Sequence, residues 1–343
     1  MPITRTTLHS SIRRLRDRSL AVVQRRRETA GSRAGPNPFD EDEPFDYSRL
    51  WFGSQLVHRH INERTSGDPG VDWLSHGMRH LAPAVGEGSG RKPEGEYRCL
   101  VLGANDGHNS VRRLCEAGFA GEIVATDIAE NAISRARELL AGYPNVTFDV
   151  SDLNVDRFDG PFDYIVAEGV LHHVANIGPC LRHLNDILEP DGVLIANEYE
   201  GPVRFQLPDR QVQWINAALG ALPGGLLPRW TGDPDLPPDS GYRRRTRYVP
   251  PSEASVRATD PSEALCGPEL KRLLPEVFRV ISRRGFGGTL LSYVSEHFRF
   301  DRADSDPRVG RFVRVLIEIE DSLIDTGILD DDFVYYELGR RDS

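Results

Sequence analysis

The segment Gly103–Asn109, which reads GANDGHN, follows directly on the apolar run Leu100–Leu102 and has the residue types of a ligand-binding turn. Glycine lets a ligand approach the backbone, and a helix that begins after the turn offers free N–H groups to an anion or carboxylate. The Gly-x3-Gly spacing differs from the G-x-G-x-x-G of dinucleotide sites, which argues against a nicotinamide cofactor. A purely structural turn is the alternative.

Acidic residues end the next two apolar runs. Asp127 lies 24 positions after Gly103, where a carboxylate can accept two hydrogen bonds from a ribose diol. Asp152, followed by Leu153, comes after the third run, where a carboxylate and the adjacent amide can recognise an adenine edge. A helix cap or a turn is the alternative for both carboxylates.

Three residues further along the chain could accept a proton: Glu168, His172 and His173. A buried carboxylate or a histidine of ordinary basicity can act as a general base at neutral pH. Packing against the pocket wall is the alternative for the histidines. We expect no metal site, because adjacent histidines should point to different sides of a turn and no H-E-x-x-H motif accompanies them.

After residue 198 the sequence is rich in proline and contains arginines that could hold a phosphate, diphosphate or carboxylate. A solvated run of charges is the alternative. The predicted substrate-binding residues are Tyr199, Arg204, Gln206, Trp214, Tyr242 and Arg244. The four cysteines have no CxxC pairing and are interpreted as buried thiols.

Short apolar runs alternate with amphipathic helical patterns from residue 97 onward, which is typical of a doubly wound parallel sheet. In such folds ligands bind at the carboxyl ends of the strands. The predicted strands are 98–103, 121–126, 146–150, 163–168, 192–198, 277–283 and 332–338, and the predicted helices of this part are 108–119, 129–141, 177–189 and 307–325.

These segments, together with Phe162–Val174 and Leu188–Ile195, resemble the class I S-adenosylmethionine-dependent methyltransferases, especially their ubiquinone/menaquinone-type and small-molecule branch. The resemblance covers about residues 97–200. It implies an α/β, Rossmann-like, doubly wound seven-stranded sheet with an antiparallel last strand, and S-adenosyl-L-methionine as the cofactor. The cofactor-binding residues that it implies are Gly103, Ala104, Asn105, Gly107 and Asn109 around the methionine part, Asp127 at the ribose, Ile128, Asp152 and Leu153 at the adenine, and Glu168 beside the methyl group.

The composition divides the chain into five predicted parts. Residues 1–35 carry a net charge of +7 and the remainder carries −17, which argues against a sequence-independent nucleic-acid binder. We find no apolar run of membrane-spanning length and no secretory signal, so we expect a cytoplasmic protein. The parts are a basic helical arm with an acidic linker (1–46), a helical cap (47–96), the cofactor-binding core (97–200), a helical or irregular substrate lid (201–262) and the end of the core sheet with an inserted helix (263–343).

The function that we predict is methyl transfer to oxygen or nitrogen of a small molecule, with Glu168, His172 or His173 as the base; an anionic acceptor is one alternative. Carbon methylation of an alkene such as an isoprenoid diphosphate, with Glu168 as the base, is a second hypothesis. A cofactor-binding or scaffold protein without turnover is a third. The N-terminal helices are a candidate surface for forming a homo-oligomer.

Overall fold

Seven strands form one sheet in the computed structural model, which describes residues 51–85, 92–222, 247–295 and 300–342. The strand order is β3-β2-β1-β4-β5-β7-β6. Neighbouring strands run parallel from β3 to β5, whereas β7 is antiparallel to both β5 and β6. This arrangement confirms the predicted fold class. The strands are β1 (Arg98–Leu102), β2 (Glu122–Asp127), β3 (Val146–Val150), β4 (Phe162–Glu168), β5 (Leu188–Tyr199), β6 (Arg279–Gly285) and β7 (Phe333–Gly339).

The α-helices of the described residues flank this sheet. They are α1 (Gln55–Ser66), α2 (Trp73–Gly77), α3 (Ser110–Glu116), α4 (Glu130–Leu139), α5 (Ile177–Asp186), α6 (Asp209–Ala221), α7 (Glu253–Thr259), α8 (Gly267–Val277), α9 (Leu291–Val294) and α10 (Pro307–Asp325). A short 3₁₀ turn, Leu171–His173, follows β4. The predicted strand 146–150 and helix 307–325 have the observed bounds, and the other predicted strands and helices differ by a few residues at one or both ends.

Alternate residues of each strand enter separate apolar layers, because successive side chains of a strand point to opposite faces. Val101 and Ile195 belong to the layer covered by α1 and α2. Leu100 and Leu194 belong to the opposite layer, which α5 and α8 cover. Every residue of β4 is buried, as a central strand with both faces covered requires.

The sequence predicts N-terminal helices over about 47–64 and 71–82, and both observed α-helices are shorter. The first begins at Gln55 rather than near residue 47, and the second ends as an α-helix at Gly77 and continues as a 3₁₀ helix to Val85. A Cβ on Gly77 would lie 2.9 Å from Ile195 Cγ2 of β5, so the absence of a side chain lets this helix approach the sheet. These helices therefore pack on the same face of the sheet as α3.

Several predicted features lie outside the described residues. They are the arm and linker 1–46, the middle of the predicted lid (223–246), Tyr242 and Arg244. The division of the chain into five parts stays a prediction. Within the described segments, we find no helix that combines the length and apolar character needed to cross a membrane.

Candidate active site

A cavity opens where the carboxyl ends of β1, β2, β3 and β4 meet. Five of the predicted cofactor residues line it: Gly103, Asp127, Ile128, Asp152 and Leu153. Its other lining residues are Thr126, Ser151, Asn154, Val170, His173, Val174 and Ser262. The tertiary structure thus brings together residues that the sequence places on three separate strand ends.

Asp127 ties the first loop to the second. Its Oδ2 accepts a hydrogen bond of 2.8 Å from the backbone N–H of Asn105, and its Oδ1 accepts one of 3.0 Å from the N–H of Ala129. Asn105 has a φ of 52°, a left-handed conformation that asparagine adopts more readily than most residues. A carboxylate held from two sides in this way is fixed in position at the cavity wall.

The residues next to Asn105 shape the turn. Ala104 donates its N–H to the carbonyl of Thr126 at 2.8 Å, which joins the end of β1 to β2. Gly107 has a φ of 74°, and a Cβ there would lie 3.1 Å from Leu140 Cδ1. Glycine is needed at this position because the turn has a positive φ and passes close to α4.

Glu168, at the end of β4, binds the start of α3. Its Oε1 accepts a hydrogen bond from Asn109 Nδ2, and its Oε2 accepts one of 2.6 Å from Ser110 Oγ. All three side chains are buried. The carboxylate therefore holds the glycine-bearing turn against β4, a role that the sequence did not reveal.

Asp152 organises the loop that follows β3. Its Oδ1 accepts hydrogen bonds from the backbone N–H of Asn154 at 2.9 Å and from the side-chain amide of Asn154 at 2.8 Å. Asn154 Oδ1 in turn accepts a hydrogen bond of 2.8 Å from the N–H of Ala175. This chain of bonds joins the third loop to the segment after the 3₁₀ turn.

His172 and Glu198 form a fully buried pair. His172 Nδ1 lies 2.8 Å from Glu198 Oε2, and Glu198 Oε1 accepts hydrogen bonds of 2.9 Å from the N–H groups of Val170 and Leu171. Because Glu198 is the acceptor in both backbone bonds, we assign the hydrogen of the side-chain contact to His172 Nδ1, which donates it to Oε2. The remaining ring nitrogen, Nε2, then carries the lone pair.

The expectation that the two histidines point to different sides was wrong. Their ring centroids are 4.3 Å apart with an interplanar angle of 39°. The reason is a tertiary contact: His173 Nδ1 lies 3.1 Å from Ser262 Oγ, and His172 Nε2 lies 3.9 Å from Glu263 Oε1. Segment 260–263 folds onto the 3₁₀ turn and draws both rings to the same side.

Four of the predicted substrate residues are described, and of these four only Tyr199 lies next to His172. The two ring centroids are 6.0 Å apart, and Tyr199 donates its hydroxyl to the carbonyl of Pro202 at 3.0 Å. Burial, followed by the charge of Asp332, raises the pKa of Tyr199 well above its usual value. The phenol therefore stays protonated at neutral pH.

The other described substrate residues have different roles. The buried guanidinium of Arg204 donates to the backbone carbonyls of Asp260, Pro261 and Glu263, which argues against the predicted anion clamp. Gln206 Nε2 donates to the carbonyls of Arg204 and Pro251. Trp214 is 37% exposed and lines a groove with α10, apart from the cavity. For Arg204 and Gln206, contacts with distant parts of the chain decided the structural role of the side chain.

Three residues that contact His172 or His173 were not among the predicted site residues: Glu198, Ser262 and Glu263. Glu198 had a recognisable signal, since it ends a core strand at the edge where ligands bind. Ser262 and Glu263 had none, because they lie in an irregular segment whose approach to His172 and His173 depends on the fold.

The seven-stranded sheet with antiparallel β7 is the fold that the resemblance to the class I methyltransferases predicts. Residues 100–194 match the family model described as a methyltransferase domain. This part of the chain is therefore a methyltransferase domain, which is consistent with the class I, S-adenosylmethionine-dependent type. The ubiquinone/menaquinone-type branch stays a prediction.

Two curated relatives and one solved structure each share less than 30% sequence identity with this chain. The methyltransferase calH of Penicillium decumbens is 26% identical in an alignment that covers 50% of this chain and 48% of its own length. The highly reducing polyketide synthase lcsB of Purpureocillium lilacinum is 28% identical over 44% of this chain and 6% of its own. A solved S-adenosylmethionine-dependent methyltransferase from Mesorhizobium loti aligns with 73% of this chain and 94% of its own at 16% identity and a TM-score of 0.41. The chain thus spans half or less of these two curated relatives.

Proposed function

We propose that this protein transfers the methyl group of S-adenosylmethionine to a small molecule that must first lose a proton, and that His172 Nε2 accepts this proton. The observation that carries the proposal is the buried bond of 2.8 Å between His172 Nδ1 and Glu198 Oε2. Glu198 acts as a positioning residue, because its bond fixes the tautomer and the orientation of the ring.

The residues around the cavity suit this cofactor. We propose that Asp127 binds the ribose hydroxyls and that Ile128 and Leu153 contact the adenine ring, because all three residues line the cavity. When bound, S-adenosylmethionine supplies an electrophilic methyl group on a positively charged sulfur. Val170 and His173 line the same cavity, and Val170 also donates to Glu198. The short segment Val170–His173 therefore contributes both to the lining of the cavity and to the His172–Glu198 pair.

The basicity of an imidazole limits the acceptor. Histidine readily removes a proton from a carbon between two carbonyl groups, or from an enol or phenol, but not from an aliphatic alcohol. Polyketide synthases, which occur among the relatives, assemble chains of β-keto units that contain such carbons. We therefore propose a β-dicarbonyl or phenolic acceptor of polyketide type. The isoprenoid diphosphate hypothesis loses support, since the guanidinium of Arg204 is bonded to backbone carbonyls of segment 260–263.

His172 is enclosed, so the acceptor needs a way in. Its exposed fraction is 0%, and Glu263 lies beside Nε2. Entry of an acceptor requires that segment 260–263 move away from the 3₁₀ turn. Enclosure also serves the chemistry, because it excludes water from the reactive methyl group.

The test measures transfer of a radiolabelled methyl group to β-ketoacyl thioesters and to phenols. We expect His172→Ala to lower the single-turnover rate by about 10²- to 10⁴-fold, with the Kd for S-adenosylmethionine within a few-fold of wild type. Glu198→Gln should lower the rate in the same manner, again without affecting cofactor binding. His183→Ala serves as the control, since His183 on α5 binds the N–H of Phe158 outside the site. A His172→Ala rate close to wild type overturns the proposal.

A further inference from the structure

His172, His173 and Glu263 form a buried cluster whose donor atoms converge. One donor atom of each residue lies within 4.8 Å of the donor atoms of the other two. Zinc binds imidazole nitrogen and carboxylate oxygen at about 2.0–2.2 Å, which places two donors on a tetrahedral ion about 3.4 Å apart. The 3.9 Å between His172 Nε2 and Glu263 Oε1 is close to that separation.

Both rings are oriented as metal-binding imidazoles are. In such sites the nitrogen that does not bind the metal contacts a carboxylate, a carbonyl or another polar oxygen. His172 Nδ1 contacts Glu198 Oε2 at 2.8 Å, and His173 Nδ1 contacts Ser262 Oγ at 3.1 Å. Each ring therefore has Nε2 as the atom to offer to a metal. Among the described residues, His172 Nε2 is buried and has no hydrogen-bond partner.

The charges around the rings favour a cation. Within the described part of the chain, the carboxylates of Glu198, Glu263 and Asp260 lie 2.8, 3.9 and 3.8 Å from an imidazole nitrogen, and all three are buried. The guanidinium of Arg204, bonded to the carbonyls of segment 260–263, supplies one positive charge. With neutral imidazoles these four groups leave a charge of −2, which one divalent cation neutralises.

We propose that His172, His173 and Glu263 bind a divalent transition metal, and that zinc is the metal that fits best. Two imidazole nitrogens and one carboxylate oxygen make a three-residue zinc set with a fourth position for water. Magnesium prefers oxygen ligands in an octahedron, which this cluster does not provide.

A metal and a proton compete for the same lone pair of His172. A ring that ligates zinc through Nε2 cannot accept a proton there, so zinc is expected to inhibit methyl transfer. This consequence rests on the proposed function, whereas the binding of the metal does not.

The experiment titrates full-length protein, freed of metal with a chelator, with Co²⁺ as a spectroscopic substitute for zinc. We expect one equivalent to bind with visible d–d absorption and to be displaced by zinc but not by magnesium. His173→Cys should keep the binding and add a thiolate-to-cobalt charge-transfer band, which identifies the ligand directly. His172→Ala and Glu263→Gln should abolish the d–d band. Glu198→Gln should weaken binding about 10- to 100-fold.

His108→Ala is the matched control, because His108 is exposed and outside the cluster. It should bind Co²⁺ as wild type does. Circular dichroism establishes that each variant is folded, and the His173→Cys spectrum gives a result even where an alanine variant unfolds. Absence of a stoichiometric Co²⁺ complex, or a His173→Cys spectrum without a thiolate band, overturns the metal site. If the metal binds but His172→Ala methylates at the wild-type rate, the metal site stands and the proposed function fails.

Discussion

The backbone N–H of Asn105 donates a 2.8 Å hydrogen bond to Oδ2 of Asp127, 22 positions further along the chain. This bond joins the turn after β1 to the end of β2, so the two loops predicted to hold the methionine and ribose parts of the cofactor form one rigid edge. It also gives Asn105 a partner in its left-handed conformation. Loss of the Asp127 side chain should therefore weaken cofactor binding in two ways: it removes a proposed contact to the cofactor, and it releases the turn at Asn105.

Asp127→Ala is expected to weaken the binding of S-adenosylmethionine and of S-adenosylhomocysteine by about 1.5–3 kcal/mol, because charge-assisted hydrogen bonds are lost. Isothermal titration calorimetry measures both affinities. Asp149→Ala is the control, since Asp149 is an exposed carboxylate on the adjacent β3. Absence of heat with either ligand in wild-type protein, combined with binding of a nicotinamide cofactor, would contradict the cofactor assignment.

Glu168→Gln distinguishes a base from a positioning residue. A base role predicts a rate lowered by about 10²- to 10⁴-fold with cofactor affinity nearly unchanged. Because Asn109 and Ser110 each donate to one oxygen of Glu168, we expect instead that cofactor affinity falls about 10-fold together with the rate. The amide nitrogen of glutamine cannot accept either bond. Single-turnover kinetics beside calorimetry separates the two outcomes, and a pure loss of rate would restore Glu168 as the base.

Asp72→Ala should destabilise the protein by about 3–5 kcal/mol. Asp72 caps α2 by accepting hydrogen bonds from the N–H groups of Leu74 and Ser75. It also forms a bidentate ion pair with Arg113 of α3, at 2.9 and 3.0 Å. The substitution removes the cap and leaves a mostly buried guanidinium without its carboxylate. Urea denaturation gives the free energy of unfolding.

The control for Asp72 is the exposed ion pair between Glu116 and Arg112. Glu116→Ala should change the free energy of unfolding by less than about 1 kcal/mol, because solvent screens exposed pairs. Equal effects of the two substitutions would show that the Asp72–Arg113 pair does not couple α2 to α3.

Asp332→Asn should change how stability depends on pH. Burial raises the pKa of Asp332 to about 7 in the folded protein, from 3.8. Between these values the folded state binds more protons than the unfolded state, so the free energy of unfolding falls as pH rises through that window. Asparagine keeps an acceptor for Tyr293 and Gln211 but does not titrate. The variant should therefore gain up to about 4 kcal/mol relative to wild type between pH 4 and pH 8.

The pH effect is measured from denaturation midpoints at pH 4, 6 and 8. Asp330→Asn is the control, because that carboxylate is 81% exposed. The denaturation midpoint of this variant should depend on pH as that of the wild type does. Burial also raises the pKa of Glu320 to about 7, and this group stays in both variants, so Asp332→Asn reduces the pH dependence without removing it. Identical slopes for Asp332→Asn and wild type would contradict the shifted pKa.

The sequence by itself determined the sheet and the residues at its carboxyl edge. Apolar runs that alternate with amphipathic helices specify a parallel sheet because each element must bury one or both faces, and this requirement is local in the sequence. The positions of Gly103, Asp127 and Asp152 followed directly, since each lies at the end of a strand or just after it, and strand ends converge at one edge. Glu198 was accessible to the same reasoning.

Only the tertiary structure decided what the side chains near His172 do. Segment 260–263 lies about 90 positions from His173, and no pattern in the sequence indicates that it packs on the 3₁₀ turn. That contact turned both imidazoles to one side, placed Glu263 beside them and used Arg204 to hold the loop. Roles of this kind depend on which distant backbone carbonyls and carboxylates a side chain meets when it is buried, and burial satisfies polar groups with whatever partner the fold supplies.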